Sequence, residues 1–137
     1  MATFLFDDIV FGPIKSRRLG NSLGVNLLPL NAKICNFNCG YCECGWNDSK
    51  GQKFPKYEDI LSRLDEGIRQ CKDENIAVDV ITFAGNGEPT MHPDFDKIVD
   101  AVIDLRNKYL PEAKIAVLTN AFYLHKQSVV NALQKID

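Results

Sequence analysis

Four of the five cysteines fall within ten residues, Cys35-Asn36-Phe37-Asn38-Cys39-Gly40-Tyr41-Cys42-Glu43-Cys44. Thiols this crowded suit metal binding or catalysis better than a disulfide framework, because neighbours such as Cys42 and Cys44 would close very small, strained rings. Asn36, Asn38, Gly40 and Glu43 are poor company for cysteines in a core. Gaps of three and two residues separate Cys35, Cys39 and Cys42. Closely spaced thiolates on a loop suit iron–sulfur iron. A four-iron cube held by three protein thiolates keeps one iron open, as a catalytic metal site keeps an open position. With only Glu43 between it and Cys42, Cys44 is badly placed for the far corner of a cube. The alternative is a closed zinc or iron–sulfur site using all four cysteines, although zinc sites more often join two separated pairs.

The elements around these residues decide what such a site could do. The chain has 137 residues, 45% hydrophobic and 25% charged, with a net charge of −2, enough for one domain with a core and without strong pull toward nucleic acid or anionic lipid. No apolar run approaches the roughly 20 residues that span a bilayer. The N-terminus lacks the basic start and apolar middle of a signal peptide. The reading is therefore a cytoplasmic protein with reduced thiols and no membrane partner.

Residues 1–24, punctuated by Gly12, Pro13, Gly20 and Gly24, read as a leader loop with a short strand near Ile9–Phe11. Residues 25–54 read as a first strand, Val25–Leu28, followed by the long cysteine loop. Residues 55–137 read as a helix and two further strand–helix units. The helix opened by Pro55 places Ile60, Leu61, Leu64, Ile68 and Cys71 on one face, which makes Cys71 a core residue. The segment 77–84 reads as the second strand, ending in Gly85-Asn86-Gly87-Glu88-Pro89. A helix with Pro93 as its first residue follows, then a third strand, 115–119, ending in Asn120, and a last helix from about His125. Strands alternating with helices imply right-handed crossovers and a parallel sheet. Sites in such folds lie at the C-terminal strand ends, where the loops after Leu28, Ala84 and Thr119 converge. Three parallel strands leave two open edges. The expectation is the N-terminal part of a larger barrel-like domain, or a half-barrel completed by a partner chain through swapping or dimer formation.

Other residues have competing uses. Asn120 alone reads as a turn or helix-capping residue sooner than as a site residue. Lys15, Arg17 and Arg18 could meet a phosphate or a tRNA backbone, or form a solvated loop or an ion pair. His92 and His125 read as cap or surface residues without partners for a zinc or acid–base site.

The spacing Cys35-x3-Cys39-x-Tyr41-Cys42 resembles the cluster motif of the radical S-adenosylmethionine superfamily, including the aromatic residue before the third cysteine. Gly85-Asn86-Gly87-Glu88-Pro89 is similar to that superfamily's Gly-Gly-Glu-Pro segment, with Asn86 where the first glycine would align. Phe11-Gly12-Pro13 with Ser16-Arg17-Arg18-Leu19-Gly20 resembles a branch of iron–sulfur oxidoreductases related to the wyosine-forming tRNA enzymes. The resemblance implies an α/β fold whose parallel βα units form the N-terminal half of a partial TIM-like barrel. It also implies a [4Fe–4S] cluster on Cys35, Cys39 and Cys42, with S-adenosylmethionine chelating the open iron. Gly85, Gly87 and Glu88 would meet the methionine amine, Tyr41 the adenine, and Asn120 the cofactor or substrate. One electron, from a donor such as flavodoxin or ferredoxin, would cleave the sulfonium to methionine and a 5′-deoxyadenosyl radical, which would take hydrogen from an unidentified substrate.

Overall fold

The structure, a computed structural model, describes residues 4–48 and 52–137; residues 1–3 of the leader and 49–51 of the cysteine loop lie outside it. Four strands form one sheet in sequence order: β1 (Val10–Ser16), β2 (Gly20–Val25), β3 (Val80–Phe83) and β4 (Lys114–Val117). The pair β1–β2 is antiparallel, whereas β2–β3 and β3–β4 are parallel. Three helices, α1 (Tyr57–Asp73), α2 (Phe95–Tyr109) and α3 (Gln127–Leu133), supply the crossovers and the cover. The architecture is α/β, a mostly parallel four-stranded sheet of βα units with one antiparallel strand ahead of them.

The leader is a hairpin, not mostly loop. Its glycines are turn signals in sequence, but in the sheet Gly24 serves close approach. A Cβ on Gly24 would enter the ring of Phe11, and Phe11 in turn stacks on Phe6 with ring centroids 3.8 Å apart. The first parallel strand accordingly ends at Val25, not Leu28. The next residue, Asn26, is fully buried and bends the chain: its side-chain oxygen accepts from the Leu28 N–H at 3.1 Å. The hairpin turn carries Arg17 and Arg18 to the N-terminal edge of the parallel strands, since Gly20 and Asn21 lie beside Asp79. The cysteines sit at the opposite edge.

Strand alternation sorts the two faces of the sheet. Leu23, Val25, Ile81, Phe83 and Ile115 enter the core with Ile60, Leu64, Ile68 and Cys71 of α1 and Phe95, Ile98, Val99 and Val102 of α2. On the other face, Phe11, Ser22, Gly24, Thr82, Ala84 and Leu118 line a cavity of about 400 Å³. Helix α2 starts after Asp94 and not at Pro93. His92 explains the delay. It is buried, not a surface residue, and its Nδ1 accepts from the Asp94 N–H at 3.0 Å, so Nε2 carries the proton shared with the Pro55 carbonyl at 2.7 Å. The outer edge of β4 is also less open than expected. The Ile115 N–H donates to the Asp137 carboxylate at 3.0 Å, and the Ile115 carbonyl accepts from the Asp137 N–H at 3.1 Å.

Candidate active site at the strand ends

The cysteine loop is pinned to the end of β3 through Ile34. The Ile34 N–H donates to the Asn86 carbonyl and the Glu88 N–H to the Ile34 carbonyl, both at 3.0 Å. Together they make a one-residue parallel bridge between Ile34 and Gly87. Gly87 adopts φ +137°, and a Cβ there would collide with the Ile34 carbonyl oxygen. Only glycine fits both the conformation and the approach. This bridge places Cys35 one residue beyond the strand-end turn.

Asn86, the departure from the family pattern, is a bracket. It is fully buried, and its amide donates to the carbonyls of Phe6 and Pro29, each at 2.9 Å, while accepting from the Phe6 N–H at 2.8 Å. Its own N–H donates to the Asn26 side chain at 3.1 Å. The leader, the β2 exit and the β3 exit therefore meet on one side chain.

Glu88 joins β3 to β4. Its carboxylate is 2% exposed and accepts from the Thr90 N–H and hydroxyl, from the Thr119 hydroxyl at 2.8 Å and from the Asn120 N–H at 2.6 Å. Charge-assisted bonds of this number satisfy the carboxylate within the protein. Asn120, so fixed, directs its side-chain N–H toward the Cys35 sulfur at 3.6 Å and the Asn36 side-chain oxygen at 3.4 Å. Phe37 of the cysteine loop meets Phe122 edge-on, with centroids 6.0 Å apart. Cys35, Gly85, Gly87, Glu88 and Asn120 thus gather at one edge. Tyr41 stands apart from them, 88% exposed, beside Cys39, whose thiol pushes the phenol pKa up.

The four clustered thiols are free and partly buried, and they differ among themselves. For Cys42 burial opposes ionisation, but the Cys44 backbone N–H and the Lys33 ammonium together outweigh it and hold the pKa below the usual thiol value. Burial, then the neighbouring Cys42, push Cys44 up to about 11. The protonated Cys44 thiol donates to the Gly85 carbonyl at 3.7 Å. Among the described residues no three His, Cys, Asp or Glu side chains are close enough together to hold a single metal ion. By their chemistry the thiols of Cys35, Cys39 and Cys42, three soft donors on one loop with N–H donors directed at two of the sulfurs, suit iron–sulfur iron.

Four contributors escape a reading of sequence alone. Asn26 and Thr119 look like ordinary strand-end residues. Lys33 is 2% exposed although a lysine in a loop ordinarily reads as solvated. Asn47 also organises the loop, accepting from the Cys35 N–H at 2.7 Å and donating to the Phe37 carbonyl at 3.3 Å.

The cysteine loop, bridged to the glycine-rich strand end of an α/β sheet, lies within the part of the chain that a known family matches. The chain belongs to the radical SAM superfamily, whose model matches residues 32–137. It is 35% identical over 131 residues to a protein of Brachyspira hyodysenteriae named GTPase Obg, covering 93% of this chain and 18% of that one. It is 35% identical over 132 residues to a UPF0026 protein of Methanocaldococcus jannaschii (94% and 38%) and 34% identical over 131 residues to a UPF0026 protein of Helicobacter pylori (94% and 40%). The chain thus spans less than half the length of these relatives. Among solved structures it is similar to the crystal structure of BtrN in complex with AdoMet and 2-DOIA, with a TM-score of 0.49 and 21% identity over 81% of this chain and 41% of that one. No helix among the described residues is long and apolar enough to cross a membrane.

Proposed function

We propose that this chain forms the cluster-bearing edge of a radical S-adenosylmethionine enzyme of the oxidoreductase kind, with Cys35, Cys39 and Cys42 as the protein ligands of a [4Fe–4S] cluster. The observation that carries the reading is the Ile34–Gly87 bridge, which brings the first cysteine to the glycine-rich strand end. When bound, the cluster and S-adenosylmethionine supply a one-electron cleavage that yields methionine and a 5′-deoxyadenosyl radical. The chain's own residues bind and orient. Gly85 and Gly87, without side chains, let backbone carbonyls come close to an amine. Glu88 holds the β3 and β4 exits together and fixes Asn120, so its part is positioning. Asn120 donates toward the Cys35 sulfur. Cys44, a thiol donor to Gly85, steadies the loop without being a ligand. The electron comes from a low-potential donor such as flavodoxin or ferredoxin in the cytoplasm, and the substrate is a molecule with an abstractable hydrogen.

The test is anaerobic iron–sulfide reconstitution of the full-length protein. The expected product is brown and oxygen-sensitive and cleaves S-adenosylmethionine to 5′-deoxyadenosine only with reductant. Cys35→Ala should lose the cluster and Cys44→Ala should keep it. Absence of iron and sulfide in the wild type would sink the reading. Loss of the cluster in Cys44→Ala would favour a closed four-cysteine module instead.

A further inference from the structure

Lys33 is a buried cation that neither the cysteine motif nor the glycine-rich motif uses. Its side chain is 2% exposed. Its Nζ donates to the Gly45 carbonyl at 3.0 Å, on the turn that the Gly45 N–H closes onto the Cys42 carbonyl at 3.3 Å, which sets the ammonium beside Cys42. None of the ion pairs among the described residues includes it. A buried ammonium ordinarily has an anionic partner, because taking the charge out of water is costly. Its backbone is fixed at the same place: the Asp48 N–H donates to the Lys33 carbonyl at 3.0 Å, and Lys33 bridges to Asn47. The next residue, Ile34, makes the bridge to Gly87. The ammonium is therefore enclosed within the cysteine loop.

We propose that Lys33 is the resident counter-charge of the iron–sulfur cluster, a positioning residue that raises the cluster's reduction potential. Three thiolates around a four-iron core carry net negative charge, and one-electron reduction deepens it. A fixed cation at Cys42 favours the reduced form, as net charge and hydrogen bonds to the sulfurs set cluster potentials generally. In that step one electron passes from an external reductant (dithionite in the assay) to the cluster. No proton moves, and no covalent bond forms or breaks. This inference rests on the proposed function.

The experiment is a potential-poised titration of the anaerobically reconstituted full-length protein, followed by electron paramagnetic resonance of the reduced cluster, on wild type, Lys33→Met and Lys33→Arg. Lys33→Met keeps length and apolar stem but no charge. It should shift the reduction equilibrium at least tenfold toward the oxidised cluster, 59 mV for a one-electron couple. Lys33→Arg should stay within threefold of wild type. A Lys33→Met equilibrium within threefold of wild type overturns the proposal, as does an equal shift in both variants. If Lys33→Met fails to load while Lys33→Arg loads fully, the requirement for charge stands. If neither loads, side-chain shape is what matters and the proposal falls. Iron and acid-labile sulfide content of the wild type is read first, and its absence overturns the proposed function itself, an outcome distinct from any behaviour of the variants.

Discussion

Glu88 and Lys33 are both 2% exposed, at the same edge of the sheet, and the protein treats them oppositely. Glu88 is saturated by donors from Thr90, Thr119 and Asn120. Lys33 has one carbonyl and the flanks of the Cys42 and Cys44 sulfurs. The strand-end half of the site is a finished internal network. The cysteine half carries charge and thiols whose natural complement is a bound group. The difference teaches where binding energy enters: changes at the strand ends should cost folding stability, whereas changes on the exposed side of the loop should leave it almost intact.

The largest expected effect is Gly87→Ala. A Cβ at φ +137° against the Ile34 carbonyl breaks the bridge between the halves, for a loss of about 3 kcal/mol or more by urea unfolding. A loss below about 1 kcal/mol would mean the bridge is not what joins them. Glu88→Ala follows, at about 3 kcal/mol, because buried donors on Thr119 and Asn120 lose their acceptor. If it costs no more than an exposed substitution, the finished-network side of the comparison is wrong. Asn86→Gly, which restores the family's residue, should nevertheless destabilise by about 2 kcal/mol through loss of its bonds to Phe6 and Pro29. Limited proteolysis of the leader should rise in parallel.

A smaller effect is expected at Asp8, whose carboxylate pairs with Arg63 through two bonds of 3.1 and 2.8 Å. The Arg63 guanidinium holds the Asp8 pKa below the usual carboxylate range, with burial opposing. Because the folded value is depressed, the stabilisation is fully present above the unfolded carboxyl's pKa of about 3.9 and is lost as pH falls through the folded value. Both groups are partly exposed, so Asp8→Asn should cost only about 1 kcal/mol at neutral pH. Thermal melts of the two proteins should converge in acid. The smallest effect belongs to Gly40→Ala in the cysteine loop. A Cβ there meets nothing within 4 Å, so stability should change by no more than about 0.5 kcal/mol. A large loss would show that the loop is as closely built as the strand ends.

Much of this site was legible in sequence. Cysteine spacing, the strand-end glycines and Asn120 are local patterns, and their convergence follows from the alternation of strands and helices. The helical face of Ile60, Leu64, Ile68 and Cys71 is likewise periodic, and all four are buried. The hairpin was not legible, because Gly24 carries the same letter in a turn as in a strand that must admit a ring. His92 reads as a cap, and its ring does accept from the Asp94 N–H, but its burial was not legible, since the Pro55 carbonyl that the ring meets lies far away in the chain.

By itself the sequence determined the residue types and spacings, and with them the family and the thiol chemistry, because cysteine spacing and strand–helix alternation are set by nearest neighbours. Only the tertiary structure decided which charges are enclosed. Burial is a property of what packs from elsewhere, so it alone could turn Glu88 inward onto Thr119 and Asn120 and leave Lys33 enclosed beside Cys42.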